Sequence, residues 1–192
     1  MSAPSIAEPY PCFLDCEASS LSEASYPIEV AWNDPDGTIH NLLINPQSLP
    51  AWTDWSAESQ AVHGLSRDYL QEAGVSAQAA AEQLREALHG ATVVSDAAWW
   101  DARWLRRLFM DAQVRAPALS LADADDIWVD RLIAAGAQRE SARQTLGRIH
   151  LRLKSDYPQR HRAAADVRYL MAVWEAVCAT PSRRHPRKRP VQ

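Results

Sequence analysis

Two carboxylates two residues apart, Asp15 and Glu17, close an apolar run and constrain this 192-residue chain more than any other feature. Cys12-Phe13-Leu14 reads as a short buried strand, and strand side chains alternate faces with a period of two. Asp15 and Glu17 therefore project from one face, at the point where the apolar strand ends. Carboxylates that close repel each other unless a cation lies between them, and hard divalent cations take oxygen ligands. A solvated strand end would satisfy the pair equally well. Further carboxylates on inward-facing positions decide between the two readings.

There are two such carboxylates. Asp101, Trp104, Leu105 and Leu108 fall at i, i+3, i+4 and i+7 from a helix beginning near Ala98, a single stripe that faces the core. Asp101 is then either an acidic first-turn residue that helps start the helix or a ligand. Asp166, Leu170, Val173 and Val177 repeat the pattern at i, i+4, i+7 and i+11. A carboxylate inside an apolar stripe is costly to bury without a partner or a metal. His161, five residues before Asp166 near the start of that helix, reaches the same pocket from the loop side or serves a structural role there.

In this order the motifs resemble those of the DEDDh group of 3′–5′ exonucleases, which includes polymerase proofreading subunits, RNase T and oligoribonuclease. Asp15-Cys-Glu17-Ala-Ser-Ser-Leu21 looks like the first motif, Trp100-Asp101 like the helix-opening aromatic-Asp, and His161 to Asp166 like H-x-x-x-x-D. Val62-His63-Gly64-Leu65-Ser66 is similar to the His-Gly-Ile-Thr segment between the first two. The resemblance spans roughly residues 11 to 178. Ser20 stands where the group often has Gly, Ala18 where it often has Thr, and Asp96-Ala97 where His-Asn is common.

The resemblance implies a metal-dependent 3′–5′ exonuclease acting on the 3′ end of single-stranded DNA or RNA with two divalent ions, Mg²⁺ or Mn²⁺. Asp15, Glu17 and Asp166 are the implied ligands of one ion. Asp15 bridges to the second ion, with Asp101 assisting. Paired ions stabilise the attacking and leaving oxygens of an in-line displacement. His161 is the implied general base. Ser19, Leu21, His63 and Trp100 are the implied substrate contacts, with Leu21 wedged against the last base. The different-class alternative is a non-catalytic nucleic-acid- or polymerase-binding module of the same fold. A homodimer or a polymerase partner is compatible with either.

The rest of the chain fits one domain. Hydrophobic residues make up 47% of it, which excludes a disordered protein, and no stretch approaches a membrane span of roughly 20 apolar residues. Met1 to Pro11 lacks the pattern of a signal peptide. Cys12, Cys16 and Cys178 are an odd number without C-x-x-C spacing, so they read as reduced thiols of a cytoplasmic protein. Strands are expected at Ile28–Trp32 and Thr38–Ile44 around an Asn33–Gly37 turn, then at Ala91–Val94 and Ala118–Ala122. Helices are expected at Gln78–His89 and Asp123–Ala134, with Asn45–Trp55 a loop.

This order predicts an α/β fold with a mixed sheet flanked by helices. The resemblance implies the five-stranded, ribonuclease H-like version. The exonuclease domain is expected over 1–179 and a flexible basic tail over 180–192. The tail holds five of the 20 Lys and Arg and no acid, leaving 15 basic against 24 acidic residues before it. It reads as an electrostatic tether for phosphates or as a solubilising terminus. Most of the eight Trp are expected in the core, with Trp100 the exception.

Overall fold

The computed structural model describes residues 9–158 and 161–181, so all but the first two positions of the basic tail lie outside the described residues. Three strands form an antiparallel meander: β1 (Cys12–Ala18), β2 (Pro27–Asn33) and β3 (Ile39–Asn45). Leu14 opposes Trp32 and Glu17 opposes Glu29 across β1 and β2. β5 (Thr92–Ser95) then pairs parallel to β1, and β6 (Ser120–Asp123) parallel to β5. A two-residue strand, β4 (Val75–Ser76), runs parallel to the end of β3. The sheet order is β4-β3-β2-β1-β5-β6. Five of these strands are the expected ones. Val75-Ser76 is too short for any alternation to be read, so the sixth is visible only through its pairing.

Among the described residues seven helices cover the two faces: α1 (Ala57–His63), α2 (Arg67–Ala73), α3 (Ala77–Ala87), α4 (Ala98–Asp111), α5 (Ala124–Ala134), α6 (Arg139–Leu153) and α7 (Ala163–Cys178). Ser56, Ser66 and Ser76 each accept a backbone N–H three residues on, which starts α1, α2 and α3. Asp123 caps α5 through its carboxylate, which accepts the Asp125 N–H two residues on. The loop at Asn45–Trp55 contains a single 3₁₀ turn at Pro46–Ser48.

The period of two in β1 divides the core. Leu14, Cys16 and Ala18 pack with Leu84, Leu105 and Trp52 on one side of the sheet. Phe13 packs with Trp128, Leu146 and Leu170 on the other, against α5, α6 and α7. Leu170, Val173 and Val177 form the buried stripe expected of α7, each worth about 1.5–3 kcal/mol relative to exposure. Asp15 and Glu17 share the parity of Phe13, so β1 aims them at the α7 side. The strand also continues past them to Ala18. The carboxylates thus lie within β1 rather than at its end, with a bulge between Glu17 and Ala18.

Candidate active site

Asp166 sits in the first turn of α7, directly over the carboxylate face of β1, and is 5% exposed. One oxygen each from Asp15, Glu17 and Asp166 lies within 4.8 Å of the others. Burial holds Asp15 well above the usual carboxylate range, with Asp101, Asp166 and Glu17 adding to it. Burial likewise pushes Glu17 up to about 8; Asp166 and Glu29 add to this while Arg162 opposes it. Three carboxylates this close, with Asp15 and Glu17 resisting ionisation, form the setting that a hard divalent cation relieves. An all-oxygen donor set suits Mg²⁺ or Mn²⁺.

Asp101 stands behind this trio. It is fully buried at the start of α4 and accepts a hydrogen bond from the Ser95 hydroxyl. Burial pushes its carboxyl up to about 7, against the hydrogen bonds from Ser95 and Cys16. Its charge also raises the Asp15 carboxyl.

Beside the carboxylates lies a cavity of about 310 Å³ whose walls include Glu17, Leu21, Val62, His63, Trp104 and His161. His161 is exposed, and its backbone N–H donates to Asp166 Oδ2 at 2.7 Å. Its φ of 69° is in the left-handed region, uncommon for a residue with a side chain. His63 ends α1, and Gly64, at φ 74°, turns the chain so that the Leu65 N–H donates to His63 Nδ1 at 3.0 Å. The proton of the neutral ring is therefore on Nε2, which is buried and has no hydrogen-bond partner among the described residues. Burial lowers the pKa of His63, which favours this neutral form.

Leu21 projects from the lip of the cavity, 67% exposed. Trp100 is half-buried and stacks on Trp104 at 5.4 Å between ring centroids. Ser19 is placed differently. It is fully buried, its hydroxyl donates to Asp54 and accepts from the Tyr26 N–H, and of the two adjacent serines it is Ser20 that lines the cavity. Asp54 also accepts from Ser20 and Ser22, which ties the loop after β1 to the Trp52–Trp55 segment. Burial tends to raise the Asp54 carboxyl, but these hydroxyls outweigh it and leave it lowered.

Two residues that sequence reasoning missed stand beside the carboxylates. Glu29 on β2 is 0% exposed and opposes Glu17 across the strands. Arg162, next to His161, donates to it through Nε at 3.0 Å and Nη2 at 2.8 Å. The available signals were a lone acid inside the apolar run Ile28–Trp32 and an arginine beside His161. Neither points to the other. A separate groove of about 350 Å³ against α4, which includes Leu105, Phe109, Met110 and Leu121, has Arg106 as its sole ionisable wall and carries no such chemistry.

A family model described as an exonuclease (RNase_T) matches residues 12–174. None of the curated proteins compared matches the chain by sequence. Among solved structures, E. coli exonuclease I in a zinc-bound complex with single-stranded DNA is similar at a TM-score of 0.62 and 17% identity, over 86% of this chain and 39% of that one. The same enzyme with a dA16 oligonucleotide gives 0.60 and 17%, over 88% and 41%. Exonuclease I from Methylocaldum szegediense gives 0.58 and 19%, over 86% and 39%. The chain thus spans about two fifths of the length of these relatives. The likeness shows the fold, an α/β sheet of the ribonuclease H-like kind.

Proposed function

We infer, from a chain that belongs to the RNase_T exonuclease family, that it hydrolyses phosphodiester bonds at the 3′ end of single-stranded nucleic acid. The observation that carries the reading is the convergence of Asp15, Glu17 and Asp166 to within 4.8 Å beside a cavity that His161 also lines. A binding module would gain nothing from burying repelling carboxylates, whereas a hydrolase uses them. The neighbours with bound single-stranded DNA make that strand the first substrate to test.

Asp15, Glu17 and Asp166 would hold Mg²⁺ or Mn²⁺, with Asp101 behind them. When bound, the ions would supply charge neutralisation at the scissile phosphate and its attacking and leaving oxygens. His161, on the rim, accepts the proton of the attacking water at its imidazole. His63, held neutral, forms part of the cavity wall that would face the terminal nucleotide. Leu21 and Trp100 offer apolar and aromatic faces to its base, and stacking of this kind is worth about 1–3 kcal/mol per base. Ser20 takes over the role expected of Ser19.

The test is digestion of a single-stranded oligonucleotide labelled at either end. Shortening from the 3′ end with Mg²⁺ or Mn²⁺, arrest by EDTA or a 3′-phosphate, and loss of activity in Asp15→Asn at unchanged fold are expected. Internal cleavage, or full activity in Asp15→Asn, would overturn the reading.

A further inference from the structure

We propose that Glu29 and Arg162 form a positioning pair that holds His161 in its working pose against Asp166. This inference rests on the nuclease reading. Both Glu29 oxygens are committed: Oε1 accepts from Arg162 Nη2 and from the Asn41 amide at 2.9 Å, and Oε2 accepts from Arg162 Nε and from the Ala163 N–H at 3.1 Å. One carboxylate from the sheet therefore fixes the two residues that follow His161.

Stability alone is a poor explanation for such a pair. Desolvating a carboxylate is costly, and an apolar pair of similar volume often serves the fold equally well. The position of the pair suggests a different reason. Arg162 is the residue before α7 and makes no capping bond of its own, so the Glu29 carboxylate takes the helix's first N–H from a strand 134 residues away in sequence. His161 then has to turn at φ 69° to bring its N–H onto Asp166. A side-chain-bearing residue keeps that conformation when its surroundings over-determine it. Here Asp166 holds one side and Glu29 holds the other. The general base and a ligand carboxylate are thereby set by one clamp anchored in β2.

The pair also sits within electrostatic reach of both ends of the cavity. Glu29 and Arg162 act with opposite signs on Glu17 and on His63. Removing one member would therefore alter the field at the site as well as the backbone, whereas removing both leaves that field nearly neutral.

The experiment uses the full chain and a single-stranded oligonucleotide, with Glu29→Gln, Arg162→Lys and the double variant Glu29→Gln/Arg162→Met. Each single change is expected to lower kcat by about 10–100-fold with KM little changed, the usual cost of losing a residue that orients a metal-site ligand. Amide hydrogen exchange at His161 and Ala163 should accelerate in all three. The double variant leaves no unpaired buried charge, so its Tm should return towards wild type while kcat stays low. Wild-type kcat in a double variant of wild-type Tm would overturn the proposal. An inactive wild type would instead refute the nuclease reading. In that event exchange still decides the pair, since unchanged protection at His161 in Glu29→Gln overturns it.

Discussion

On the proposed reading, His161 and Glu17 are the residues whose roles single substitutions test most directly. With its imidazole on the cavity wall and its backbone tied to Asp166, His161 is placed to take a proton without serving as a structural anchor. His161→Ala is expected to lower turnover by roughly 10²–10⁴-fold at near-normal Tm. Near-normal turnover at reduced Tm would assign the residue a structural role instead. Glu17 gives a pH signature of the metal-free fold. Its folded pKa, about 8, lies above the ordinary 4.5, so between those values the folded state holds a proton that the unfolded state has released. Stability from this group is complete below pH 4.5 and is lost as pH rises through 8. Asp101, raised from 3.8 to about 7, acts in the same direction. His63 opposes them below about pH 6.5, where its lowered pKa penalises protonation of the folded state. In EDTA, Tm should therefore fall between pH 6.5 and 8, and Glu17→Gln should flatten that slope. Mg²⁺ should raise Tm more at pH 8 than at pH 6.5; equal increments at both would remove the ligand role of Glu17.

Among the elements, the short helices before the sheet's edge depend on two glycines for different reasons. Gly64 ends α1 at φ 74° with nothing within 4 Å of where a Cβ would stand, so only backbone strain resists a side chain there. Gly64→Ala should cost about 1–2 kcal/mol. It should also weaken substrate binding, because this turn places the Leu65 N–H on His63. Gly74, between α2 and β4, is at an ordinary φ of −85°, but a Cβ there would lie 2.5 Å from the Leu70 carbonyl oxygen and 2.7 Å from the Asn45 N. Both are backbone atoms that cannot rotate aside. Gly74→Ala should therefore destabilise by more than Gly64→Ala, upwards of about 3 kcal/mol, although only Gly64 is in the left-handed region. Thermal melts of the two variants check the order. The reverse order would mean that β4 yields easily at the sheet's edge.

For the molecule as a whole, among the described residues no helix is long and apolar enough to cross a membrane, and no disulfide forms. Binding to a polyanion rests on local cations, and the segment 180–192, with five basic residues and no acid, is a block of charge that opposes an acidic body. Removing it should flatten the salt dependence of binding by roughly 0.7 in log–log slope for each phosphate that the segment no longer neutralises, with turnover at saturation unchanged. An unaltered slope would assign the segment to solubility. The carboxylate candidates were legible in the chain itself, whereas His161 was singled out by the resemblance of its spacing to Asp166. A polar side chain on an apolar strand face or helix stripe departs from the period that packing imposes, and the departure is local in sequence. The meander, the crossovers and five strands followed from the same periodicities. α6 escaped notice because its buried residues, Ala142, Leu146 and Ile149, make a thin stripe in a polar segment. What only the tertiary structure decided is which distant groups meet. The bulge after Glu17 breaks the alternation and leaves Ser20, not Ser19, facing the cavity. The Glu29–Arg162 clamp exists only once β2 and the start of α7 are brought together, since hydrogen bonds act over about 3 Å whereas its residues are 133 apart along the chain.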